Sequence, residues 1–202
     1  MFVFNNRYLC ILLLLLFCLN VAAQNEVVVR NEATAKISLG IEEVALIKVT
    51  TGDLSLTLKQ REAGLSLETS TSDSTARVLI SSVVTAEPRT LSASITGATM
   101  APPGTKLEIM ALPPNEAFVG NTATFLPPQV LEKNVDKPFV TQIMTCYSGT
   151  ELSDGYPLKF TFSLDGDSNN YSAIRATSNT SITVTLTLTV ATNATNPSTN
   201  TP

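Results

Sequence analysis

The sequence predicts an all-β protein, an antiparallel β-sandwich, and three observations carry that reading. Apolar and polar residues alternate through much of the chain. Turn-forming clusters punctuate the alternation at short intervals. No stretch of ten or more residues has the 3.6-residue apolar period of an amphipathic helix. Successive side chains of a strand point to opposite faces, so alternation marks a strand with one face in a core and one in water.

The clearest case is Ser181–Val190. Ile182, Val184, Leu186, Leu188 and Val190 share one face, and the intervening threonines, β-branched and suited to a pleated wet surface, share the other. Asp53-Leu-Ser-Leu-Thr-Leu-Lys59 alternates as strictly. Weaker alternation predicts strands at Ala35–Leu39, Val44–Thr50, Leu65–Glu68, Ala76–Val84, Thr90–Ile95, Lys106–Leu112, Phe139–Thr145 and Leu158–Leu164, with Glu26–Arg30 as a further short strand. Turn chemistry separates them at Thr51-Gly-Asp53, Ala63-Gly64, Ser70–Ser74, Pro102-Pro-Gly104, Pro113-Pro-Asn115, Ser153-Asp-Gly155 and Asp165–Asn170. The stretch 113–128 holds two Pro-Pro pairs and little alternation, and reads as a long loop inside one domain spanning 24–190. Residues 191–202, built only of Asn, Thr, Ser, Pro and Ala, cannot bury apolar area and read as a disordered tail.

The first 23 residues read as a signal peptide. Arg7 supplies a positive start, Leu9–Leu19 is unbroken and apolar, and Val21 and Ala23 are the small residues that precede a cut. The apolar run is much shorter than the ~20 residues of a membrane span, and Phe17 is too large to precede a lipidated Cys18. The expectation is a secreted or extracytoplasmic protein (periplasm, cell surface or medium) whose mature chain starts at Gln24. Its loss removes Arg7 and no acid, leaving 12 Lys+Arg against 17 Asp+Glu, a net charge near −5. Nucleic acid and anionic lipid need clustered cations and are not expected partners.

Composition also narrows the chemistry. There is no His and no Trp, and Cys146 is the single cysteine left after the signal. No Ser-His-Asp or Cys-His set can form, no Ser-x-x-Lys occurs, and zinc has too few ligands. No phosphate-binding glycine loop is present. The expectation is a protein without catalytic activity and without a cofactor, a two-carboxylate hydrolase being the third-ranked reading. One disulfide cannot form within a single mature chain, so packing must hold the fold. All mature aromatic residues lie between Phe118 and Tyr171. The first half must build its core from aliphatic side chains.

Two sets of residues are candidate sites. Tyr147, Tyr156 and Tyr171 offer rings for stacking a sugar, though such residues more often cap the edge of a core. Asp165, Asp167 and Asn169 have the one-three-five spacing of calcium-loop ligands. Asn170 then replaces the turn glycine and Ala176 the bidentate glutamate, so the loop reads as a turn joining Leu158–Leu164 to Tyr171–Ala176. Glu42 and Glu43 fall on opposite faces of a strand and make no acid–base pair. Asn170, Asn179 and Asn193 match the N-glycosylation pattern.

The stretch Tyr156-Pro-Leu-Lys-Phe-Thr-Phe-Ser-Leu164, a turn, Tyr171 and then Ser181-Ile-Thr-Val-Thr-Leu-Thr-Leu188 resembles the end of secreted bacterial pilin-like and spore-coat-U-like β-sandwich proteins. Ser94-Ile-Thr-Gly97 followed by Lys106-Leu-Glu-Ile109 is similar to their middle strand pair. The resemblance covers about 90 residues and lacks the paired cysteines common in such subunits. It implies an Ig-like or pilin-like sandwich acting as a structural or adhesive surface protein. It also implies self-association, or contact with a surface protein or glycan, with a ligand-binding module as the alternative.

Overall fold

The computed structural model describes residues 35–51, 53–60, 62–114, 118–166, 171–177 and 180–190. The chain divides into two compact units, Met1–Gly40 and Ile41–Pro202, and the fold that follows belongs to the second. The signal peptide, Glu26–Arg30, the tail and the three glycosylation-pattern asparagines lie outside the described residues.

The named elements among the described residues are eleven strands: β1 (Val44–Val49), β2 (Ser70–Asp73), β3 (Arg77–Val83), β4 (Arg89–Thr96), β5 (Thr105–Ala111), β6 (Thr124–Phe125), β7 (Gln129–Val130), β8 (Lys137–Ile143), β9 (Cys146–Tyr147), β10 (Tyr156–Leu164) and β11 (Thr183–Val190). They form two antiparallel sheets. The first runs β1-β3-β10-β5-β7, with β2 added to β10 and β9 to β3; the second runs β11-β4-β8-β6. One core is shared between them. Val78, Ile80, Ile109, Tyr156 and Leu158 from the first sheet meet Leu91, Ala93, Ile95, Phe139 and Ile143 from the second. Two alternating inner faces packed on each other make a sandwich-like, all-β architecture, as the alternation predicts.

Several local expectations are corrected. Asp53–Lys59 is not a laddered strand. Leu54 and Leu56 are half-buried against the core, but the segment pairs with no named strand. Residues 35–39, expected as a strand, likewise belong to no named strand. Leu65–Glu68 lies in a turn region. The strand sits instead at Ser70–Asp73, expected as a turn, because the edge of β10 pairs it over Phe160–Ser163. Tyr171–Ala176 does not pair with β10. That strand pairs β5 throughout, from Leu158↔Ala111 to Leu164↔Thr105.

The sheets end differently on their two sides. On one side the outermost strands, β6 and β7, are two residues long. On the other they are β1 and β11, six and eight residues long.

Candidate functional site

The candidate site is the seam between these two long edges. On β1, Ala45, Ile47 and Val49 stand opposite Ser82, Ile80 and Val78, the core-facing residues of β3. On β11, Val184, Leu186, Leu188 and Val190 stand opposite Ile95, Ala93, Leu91 and Arg89 of β4. The inner strands are fully covered, whereas the edge rows are not. Ala45 is exposed, Ile47, Val184, Leu186 and Leu188 are half-buried, and Val190 is 41% exposed. β1 and β11 come within contact distance across the gap. Among the described residues no strand pairs outside β1 or β11.

Arg89 closes one end of the seam. Its phase along β4, with Leu91, Ala93 and Ile95, points it into the sandwich, where its side chain is only 7% exposed. The guanidinium Nη2 donates to Glu43 Oε1 at 3.1 Å and to the Val83 carbonyl at 3.4 Å. Nε, deeply buried, has no partner within the described residues, and neither has the nearby-numbered Ser82 Oγ on β3. The ion pair joins the residue that precedes β1 to the second sheet, so it pins the chain where it enters the sandwich.

Upstream of Glu43 lies an apolar row in strand phase. Ile37, Leu39 and Ile41 are 76%, 93% and 91% exposed and belong to no named strand. Apolar side chains of that size scattered singly are unremarkable on a surface. Ile37, Leu39 and Ile41 alternate with Ser38 and Gly40 along this segment.

The tyrosines do not form one surface. Tyr156 is fully buried, so its ring is not available for sugar stacking. It packs against Phe118 and Phe125 with ring centroids 5.1 Å away in each case, and its hydroxyl donates to Asn121 Oδ1 at 2.9 Å. Tyr147 is exposed on β9, and Tyr171, partly exposed, accepts a bond from the Leu67 amide. Of the calcium-loop residues, Asp165 is described and its amide bonds the Gly104 carbonyl, whereas Asp167 and Asn169 lie outside the described residues. Among the described residues no cluster of three acidic, Cys or His side chains could hold a metal ion. Cys146 is buried in the core, and desolvation pushes its thiol above the ordinary value.

Burial, and secondarily the neighbouring Cys146, hold the Tyr156 phenol far above its ordinary value of 10.0. The consequence for stability has a definite sign. Below pH 10 the folded and unfolded chains both keep this proton. Above it the unfolded chain sheds a proton that the fold retains, so stability falls as pH rises. The expected slope from this group is about 1.4 kcal/mol per pH unit. Urea midpoints from pH 8 to 11, compared between the parent and Tyr156→Phe, isolate it from the lysines. Equal slopes would show that the phenol is not buried as described.

No protein-family model, curated protein or solved structure matches this chain. Among the described residues no helix is long and apolar enough to cross a membrane. The functional reading therefore rests on the seam.

Proposed function

We propose that the chain is a secreted or cell-surface structural or adhesive protein, a sandwich of Ig-like or pilin-like type without catalytic activity, that self-associates by adding a strand to its open seam. The observation that carries this reading is the edge of β11. Proteins ordinarily blunt an exposed sheet edge with a charge, a proline, a bulge or a short strand. β6 and β7 are short, and β1 carries Lys48. The eight residues of β11 contain no charge, no proline and no glycine, and its inward row is half-covered. An edge of that length with an apolar row beneath it suits addition of an extended segment, where backbone hydrogen bonds supply affinity and alternate side chains fill the row.

The chain N-terminal to β1 is the donor. Glu26–Arg30 carries three consecutive β-branched valines, and Ile37–Ile41 alternates and stands exposed. Export through a signal cut after Ala23 is part of the same reading. The mature chain is expected to form concentration-dependent oligomers, seen by analytical ultracentrifugation, that vanish when residues 24–41 are deleted. A strict monomer with and without that segment, together with saturable binding on a glycan array, would sink the structural reading and leave the ligand-binding module.

A further inference from the structure

We infer that the outward face of the first sheet binds an acidic polysaccharide along a line of three cations, Lys48, Arg77 and Lys159. The inference goes beyond strand addition at the seam and holds whether or not copies of the chain assemble.

The line follows from register. The inward row of β1 is Ala45, Ile47 and Val49, so Lys48 stands on the outward face. On β3 Val78, Ile80 and Ser82 point in, which turns Arg77 outward; on β10 Tyr156 and Leu158 point in and Lys159 out. Lys48 pairs Leu79, and two residues further the ladder continues with the Thr50 amide donating to the Arg77 carbonyl at 2.9 Å. Arg77 in turn pairs Pro157, two residues before Lys159. Each cation is therefore one strand across and one two-residue step along from the last, always in the same direction. A strand spacing of about 4.8 Å and a rise of about 3.3 Å per residue put neighbours about 8 Å apart and the ends about 16 Å apart.

Like charges in a row repel one another unless something neutralises them. Among the described residues none of the three side chains has an ion pair or a hydrogen bond, and Arg77 Nη1 is buried without a partner. Acids on the adjoining elements are engaged elsewhere. Lys106 holds Glu108 at 3.2 Å, Asp73 Oδ1 accepts from the Thr75 amide, and Asp154 Oδ2 accepts from the Glu151 amide. A chain whose mature net charge is near −5 thus gathers a positive stripe on one face.

Charge and shape select the partner. Cations so spread suit an extended polyanion better than a single small anion. Duplex nucleic acid and anionic lipid carry a charge density that an acidic chain repels and three cations do not offset. An acidic peptide joins a sheet through backbone hydrogen bonds at an edge, whereas the face of a sheet offers side chains only. One step along the same face from Lys48, the exposed Leu46, Ser81 and Tyr147 lie in register across β1, β3 and β9. A ring, a hydroxyl and cations are the groups that hold a sugar ring, its hydroxyls and its carboxylates.

Biolayer interferometry of the mature chain on immobilised polygalacturonate tests the face. Saturable binding is expected at low salt, weakening toward physiological ionic strength as exposed ion pairs are screened. The fully methyl-esterified polymer, which keeps the rings and loses the charge, should not bind. Arg77→Gln with Lys159→Gln should weaken binding roughly tenfold or more, whereas Lys133→Gln with Arg175→Gln, an equal change of net charge outside these strands, should leave it within about twofold. Lys48→Gln with Lys159→Gln samples the same line should the first pair disturb the fold. No binding to polygalacturonate, or equal binding to its ester, overturns the inference. Equal losses from the pairs on and off the line overturn the line in favour of net charge alone. Equally tight binding of polyglutamate overturns the sugar in favour of an acidic peptide.

Discussion

Tyr156→Ala is expected to remove about 3–5 kcal/mol of unfolding free energy, the range for emptying a buried aromatic site. Tyr156 opens β10, has no exposed surface, and lies against Phe118 and Phe125, two of the few rings the chain has. The chain has no Trp, and a close-packed core of aliphatic side chains and a few phenylalanines does not readily refill a ring-sized void. Relative to a typical domain stability of about 5–15 kcal/mol, the loss is a large fraction of the whole. Tyr156→Phe keeps the ring and removes only the bond to Asn121, and should cost about 1 kcal/mol. Urea unfolding followed by circular dichroism checks both. A loss under about 1 kcal/mol for the alanine variant would mean that the core is organised elsewhere.

Tyr156 also shows what could be read from the residues alone. It is in phase with Leu158, and that spacing already points it inward. Grouping it with Tyr147 and Tyr171 as a binding surface gave weight to residue type over phase. Where phase ran clearly, as in β4, β10 and β11, the strand was legible from its alternation. Phase assigns faces, however, and not neighbours. Leu54 and Leu56 turn inward as their alternation demands, yet Asp53–Lys59 gains no ladder. The polar Ser70–Asp73 becomes a strand because the β10 edge is there to pair it. The two-residue strands β6, β7 and β9 exist only through their partners, and nothing local marks them.

The seam was half legible. The apolar row of β11 and the uncharged edge are written in Ser181–Val190, and the inward phase of Arg89 is written in Arg89-x-Leu91-x-Ala93-x-Ile95. That Arg89 meets Glu43, 46 positions earlier, is a fact of sheet stacking. So is the position of β11 at the end of its sheet among the described residues. A strand's own sequence does not say whether it will sit at the centre or the edge of a sheet, because both need one apolar face.

Leu186→Asp should separate folding from assembly. Leu186 is half-buried on the β11 edge, so its replacement removes only part of the roughly 1.5–3 kcal/mol of a fully buried leucine and leaves the new carboxylate access to water. Its cross-strand neighbour Ala93 is fully buried, and Ala93→Asp would place a charge with no partner in the shared core, a cost of several kcal/mol that unfolds the chain. Adding a strand over Leu186→Asp would instead trap that carboxylate between Val184 and Leu188 beneath an apolar row. The expected result is a folded monomer with the parent's circular dichroism spectrum and no oligomer at concentrations where the parent assembles. The pair of variants makes the comparison internal, since the two positions face each other and differ chiefly in whether a further strand lies outside them. If Leu186→Asp sediments as the parent does across the concentration range, the seam is not where copies of this chain meet.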